Sequence, residues 1–164
     1  MLKHIAVAAA FALAVPGPAL LAQDAGEIAA VQAGESCPGC NLFQADLSYR
    51  DLAGIDVSGA RLRQANLALA TMNGANFARC DLSVANLFGA RFTGARFVAA
   101  DLRQATLVGA YFGGADMTGA RLEGANLSGA NLAGAKGLTP EQLSKACGDA
   151  STRLPDALSM PHCR

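Results

Sequence analysis

The chain has no tryptophan, and its 2 tyrosines and 7 phenylalanines leave aromatics at 5% of residues. Although 52% of residues are hydrophobic, small alanine is the commonest of them, and 18 glycines accompany them. Any core must therefore close tightly around small side chains. Excess charge of one sign is missing too. The 13 Lys and Arg balance 13 Asp and Glu, so net charge offers nucleic acid or an anionic membrane no long-range attraction. Histidine is scarce: only His4 and His162 occur. A Ser-His-Asp or Cys-His centre would have to use His162, which stands beside Cys163 in the tail. Phosphate-cradling glycine motifs are absent as well. Residues 129–136 approach a P-loop but lack the Lys-Ser/Thr pair after the second Gly. These gaps argue for a protein that is not an enzyme, with no catalytic, cofactor-binding or metal-binding residues.

No hydrophobic run is long. The apolar stretch 5–15 is 11 residues, stopped by Pro16, where a bilayer span takes about 20. Behind Lys3 and His4, it has the length of a signal-peptide core. Cleavage is expected after Ala22, with Ala19 as the alternative, giving an exported protein, periplasmic or secreted, with no membrane span afterwards. The processed chain then starts at residue 23, loses Lys3 and carries a net charge near −1.

What is present in quantity is a period of five. From Cys40 to Gly134 the chain reads CNLFQ ADLSY RDLAG IDVSG ARLRQ and onward without insertion or deletion, 19 pentads in 95 residues. The third position is Leu in 12, Phe in 4, Met in 2 and Val in 1; the first is Ala in 15; the second is Asp or Asn in 12. An α-helix would place successive third-position side chains about 140° apart, smearing them around the cylinder. A straight strand would throw them alternately to opposite faces. Turning the chain after every pentad keeps all 19 on one side. Gly at the fifth position in 11 pentads suits such a corner, where φ > 0 is needed.

The pattern of Ala, then Asp or Asn, then Leu and two variable residues resembles the pentapeptide-repeat family. That resemblance implies an all-β fold: a right-handed quadrilateral parallel β-helix with four pentads per coil, here about five coils. First and third residues would face inward, and the other three solvent. Stacking at 20-residue spacing then sets Phe92 on Phe112 and Phe77 on Phe97. It lines Gly54, Gly74, Gly94, Gly114 and Gly134 along one corner, and gathers Arg61, Asp81, Asp101, Arg121, Arg63, Arg103 and Glu123 into a cross-coil ion-pair ladder.

The expected organisation is a signal peptide (1–22), an N-terminal cap (23–39), the β-helix (40–134) and a C-terminal cap (135–164). Residues 27–32 suit a short helix. Thr139-Pro140-Glu141-Gln142 opens another, to about Ala146, followed by an irregular tail. Five cysteines in an exported chain point to disulfides. Cys147 is expected to pair with Cys163, and Cys37 with Cys40. Cys80 stands at an alanine position two coils from Cys40, about 9.6 Å away, beyond bridging range, and reads as a buried free thiol. Haem attachment is excluded because Asn41, not His, follows Cys40. Zinc held by Cys37, Cys40 and His162 would need ligands from opposite ends of the rod.

The favoured function is an exported scaffold that binds an unknown protein partner through one rod face. The candidate face has outward Ala68, Phe88 and Val108 in one column, with Leu69 and Tyr49 nearby; Arg91, Arg96 and Tyr111 form a weaker patch. A monomer or weak dimer is expected. One alternative is a thiol-redox protein using Cys37 and Cys40. The other comes from the resemblance: some relatives imitate DNA and bind gyrase. Here 8 Arg oppose 7 acidic residues in the repeat, so no DNA-like negative field arises, and an exported protein would not meet a cytoplasmic enzyme.

Overall fold

The computed structural model describes residues 23–164, and the expected signal segment lies outside them. From residue 41 on, parallel β-bridges join second-position residues twenty apart: Asn41 to Arg61, Arg61 to Asp81, Asp81 to Asp101 and Asp101 to Arg121 on one face. The other three faces repeat the pattern. Four pentads therefore complete one turn. A corner every five residues leaves room for a single bridge per pentad, so no long strand forms.

The pentad beginning at Ala65 shows where each backbone N–H goes. Asn66 donates to Ala45 O on one side (2.9 Å), while Leu67 and Leu69 donate to Asn86 O (2.7 Å) and Phe88 O (2.8 Å) on the other. Ala70, opening the next pentad, closes the corner on Leu67 O at 3.1 Å. Only the fourth residue lacks a backbone acceptor, and Asn66 Oδ1 accepts its N–H at 3.2 Å. All 12 Asp and Asn residues at the second position do the same for the residue two places on. The second-position preference is thus a local side-chain turn that satisfies an otherwise unpaired donor.

First- and third-position side chains fill the interior, with Arg50 the exposed exception. Phe77 stacks on Phe97 (centroids 4.9 Å apart, planes 9° apart) and Phe92 on Phe112 (5.3 Å, 18°). Edge contacts such as Phe92 to Phe97 at 5.1 Å join the two columns into one aromatic cluster. Fifth positions form the corners. Gly54, Gly74, Gly94 and Gly114 have φ of 66–71°, but Gly134 breaks the series because its corner is remade by the following segment. A Cβ on Gly134 would stand 3.2 Å from Gly114 N, so this glycine serves close backbone approach instead of a left-handed turn.

Helix α1, Ala25–Gln32, is N-capped by Asp24, whose carboxylate accepts from Gly26 and Glu27. Helix α2, Pro140–Ser144, begins in a reciprocal capping box between Thr139 and Gln142 and stops short of Ala146. Pairing does not end with the pentads. Lys136 bridges Asp116, Cys147 bridges Asn126, Arg153 bridges Asn131, and His162 bridges Gly148. The segment expected to be irregular thus continues the ladder at spacings of 21 and 22 and then pairs with itself at a spacing of 14, with α2 inserted at one corner.

Candidate functional site

Among the described residues, five large hydrophobic side chains are exposed: Tyr49 (77%), Phe88 (47%), Leu69 (44%), Val84 (39%) and Tyr111 (38%). The ladder sets three of them on adjoining coils. Tyr49 N donates to Ala68 O (3.0 Å), Leu69 N to Phe88 O (2.8 Å) and Gly89 N to Val108 O (2.9 Å). Ala68 and Val108 are half-buried on either side of Phe88. Leu69 leans over Gly89, where a Cβ would come within 2.7 Å of its Cδ2.

Beside this apolar column runs a polar one: Asn86 Nδ2 donates to Asn66 Oδ1 and Asn66 Nδ2 to Asp46 Oδ1, both at 3.2 Å. Hydrogen bonds from the Ser48 hydroxyl and N–H hold the Asp46 carboxyl below its usual range. Tyr49, Leu69 and Val84 all occupy fifth positions, with φ of 60°, 58° and 60°. Bulky residues in this left-handed region carry about 1–2 kcal/mol of strain that glycine would avoid. Val84 was not singled out in the sequence reading; its place at a corner held elsewhere by Gly is the signal that could have found it.

The second patch is looser. The Arg91 guanidinium lies over the Tyr111 ring at 5.9 Å, while Arg96 sits between Asn76 and Asp116 in its bridge column.

The charged face differs from a regular cross-coil ladder. Its tightest pair is within one pentad, with Arg103 Nη2 2.6 Å from Asp101 Oδ2. That bond is the main cause holding the Asp101 carboxyl down. The cross-coil Arg121–Asp101 contact is 3.9 Å, and Arg61 turns instead to Asn41 and the Phe43 ring. Two residues apart on a strand-like stretch, Asp101 and Arg103 share a face, so the shorter reach wins. Two shallow clefts open here, of ≈ 230 and ≈ 210 Å³, both touched by Glu123 and lined by charges of both signs.

The cysteines form two bonded pairs, Cys37 with Cys40 (Cα–Cα 5.6 Å) and Cys147 with Cys163 (4.8 Å). Cys80 is free and buried, and burial pushes its thiol up to about 12. A thiol so far from ionising is a poor nucleophile.

The family model for pentapeptide repeats matches residues 40–77, 65–106 and 95–134, in 8 copies. The chain belongs to the pentapeptide-repeat family. Its members fold as right-handed quadrilateral β-helices, the architecture that the twenty-residue bridges build here. Among solved structures, a pentapeptide repeat protein from the Arabidopsis thaliana thylakoid lumen is 29% identical, with a TM-score of 0.57 over 71% of this chain and 81% of that one. One from Nostoc PCC 7120 is 26% identical, with a TM-score of 0.45 over 80% of this chain and 95% of that one. QnrB1, a plasmid-mediated fluoroquinolone resistance protein, is 20% identical, with a TM-score of 0.39 over 78% and 82%. At that level the likeness says nothing of role. No curated protein matches this pentapeptide-repeat chain, and no enzymatic family is indicated. No helix among the described residues is long and apolar enough to cross a membrane.

Proposed function

We propose that this pentapeptide-repeat protein is an exported, non-catalytic scaffold that binds a protein partner through the face bearing Tyr49, Ala68, Leu69, Phe88 and Val108. The observation that carries this reading is the pairing of exposure with strain. Tyr49 and Leu69 are exposed, in left-handed backbone, at positions where glycine is the unstrained choice. Neither side chain is fully buried in the free protein, whereas a partner covering them would complete that burial.

Export is supported by the two disulfides and by the relative from a thylakoid lumen. Residues 23–39 and 135–164 act as end caps in this reading, closing edges that would otherwise recruit other chains. At one end Glu27 accepts the Asn41 N–H (2.6 Å), Ser36 Oγ accepts the Asp56 N–H (3.0 Å), and Gln32 donates to Asp46 O (2.8 Å). At the other, Gln142 Nε2 donates to Met117 O and Ala120 O, and Leu127 and Leu132 donate to Cys147 O and Arg153 O. With both ends closed, end-to-end growth has no template, and the protein is a monomer or weak dimer.

The test is crosslinking in the native cell from a photoreactive residue at position 88, with position 58 on another face as control. One partner trapped at 88 and not at 58, and lost on Tyr49→Ser with Leu69→Gly, is the expected result. Equal trapping at both positions, or none at 88, overturns the assignment.

A further inference from the structure

One cluster stands apart from the partner face, at the edge of the core. Helix α1 docks across the start of the rod and carries Glu27 to the Cys37–Cys40 pair, ten residues away in sequence. One carboxylate oxygen of Glu27 and the two cysteine sulfurs all lie within 4.8 Å of one another. Glu27 is held in place: its Oε2 accepts the Asn41 N–H at 2.6 Å, and Asn41 immediately follows Cys40. Cys40 is buried, while Glu27 and Cys37 are half-buried, so the cluster is open to solvent on one side.

We propose that, once the Cys37–Cys40 bond is reduced, Cys37, Cys40 and Glu27 bind one thiophilic divalent cation of the zinc type. Two cysteines separated by two residues form a natural chelating pair for Zn²⁺, and a carboxylate oxygen is an accepted third ligand, leaving a fourth place for water. The reductant is a dithiol. It gives two electrons and two protons, the S–S bond breaks, two S–H groups form, and the dithiol becomes its own disulfide. The cation then displaces both thiol protons to solvent and is held by two thiolates and one carboxylate. Cation binding and disulfide formation are therefore mutually exclusive states of the same two sulfurs. The other pair, Cys147 and Cys163, has no carboxylate in such a cluster among the described residues.

The experiment uses the purified protein, reduced with a phosphine, freed of excess reductant and titrated with Zn²⁺ alone. Retention of the fold is checked by circular dichroism. After titration, thiols are alkylated and each cysteine's modification is read by peptide mass. The expected result is one equivalent bound, with Cys37 and Cys40 protected and Cys147 and Cys163 still modified. Glu27→Gln keeps both sulfurs and should weaken binding by at least about tenfold. Cobalt substituted for zinc should give thiolate-to-metal absorption in wild type that Cys37→Ser diminishes. Absence of binding by the folded, reduced protein, equal protection of the two pairs, or unchanged affinity in Glu27→Gln each overturns the proposal.

Discussion

At the residue scale, this coil is decided by two small backbone problems that recur in every pentad. The fourth N–H has no backbone acceptor, and in 12 of the 19 pentads a second-position Asp or Asn supplies one. The fifth residue must enter the left-handed region, which ten of the 11 fifth-position glycines do without strain and eight other residues do at some cost. Val84 is the sharpest case, because a β-branched residue at φ 60° is an outlier. Val84→Gly should therefore raise stability slightly, because relief of about 1 kcal/mol of strain exceeds the burial lost by a side chain already 39% exposed. The reverse change, Gly94→Val, should lower it by a similar amount. Unfolding midpoints of the two variants against wild type measure this, and a destabilised Val84→Gly would contradict the strain argument.

At the element scale, the tail is the piece whose stability comes from specific ties. Asp149 takes hydrogen bonds from the Ser151 hydroxyl, the Gly129 N–H and Thr152, with Ser151 the largest cause, and its carboxyl is lowered from 3.8 to about 2. A depressed folded value means a contribution that is complete above the unfolded value, near 4, and lost as pH falls toward about 2. Asp149→Asn should flatten the stability–pH curve in that window and leave its slope near neutrality unchanged; thermal midpoints measured from pH 2 to 7 test it. The Cys147–Cys163 bond closes a separation of 16 residues, a loop size worth about 3 kcal/mol. Replacing both cysteines by Ser should speed amide exchange at Leu127 and Leu132, which donate into the tail, before mid-rod amides such as Phe77 respond. Uniform acceleration along the rod would mean that the tail is not a separate unit. These ties also mark where the sequence stopped being legible. Period five declared the inward third position, and the four-pentad coil that the family resemblance implies added the Phe77–Phe97 and Phe92–Phe112 stacks, because regular coiling converts spacing directly into contact. The tail pairs at spacings of 21 and 22 around an inserted helix, so no period announces it. Glu27 reaches Cys37 and Cys40 only through docking of α1, which no local pattern encodes. Tyr49, Leu69 and Phe88 could be read as outward-facing, but the strain at Tyr49 and Leu69 required the backbone angles.

At the scale of the whole molecule, the 13 positive and 13 negative side chains balance in number and leave no net charge to act at long range. A rod of this kind has two ways to hold a partner: through charge, as a nucleic-acid imitator would, or by covering apolar surface. The two respond oppositely to salt. Charged contacts between exposed groups are screened beyond a Debye length of about 10 Å at 0.1 M and about 3 Å at 1 M, whereas burial of Phe88 and Leu69 is not weakened by screening. Crosslinking yield from position 88 should therefore stay within about twofold between 0.05 and 0.5 M salt, and fall on Leu69→Gly at either concentration. A yield that collapses with salt, yet survives loss of Leu69, would move the contact from the apolar column to the Asp101–Arg121 face.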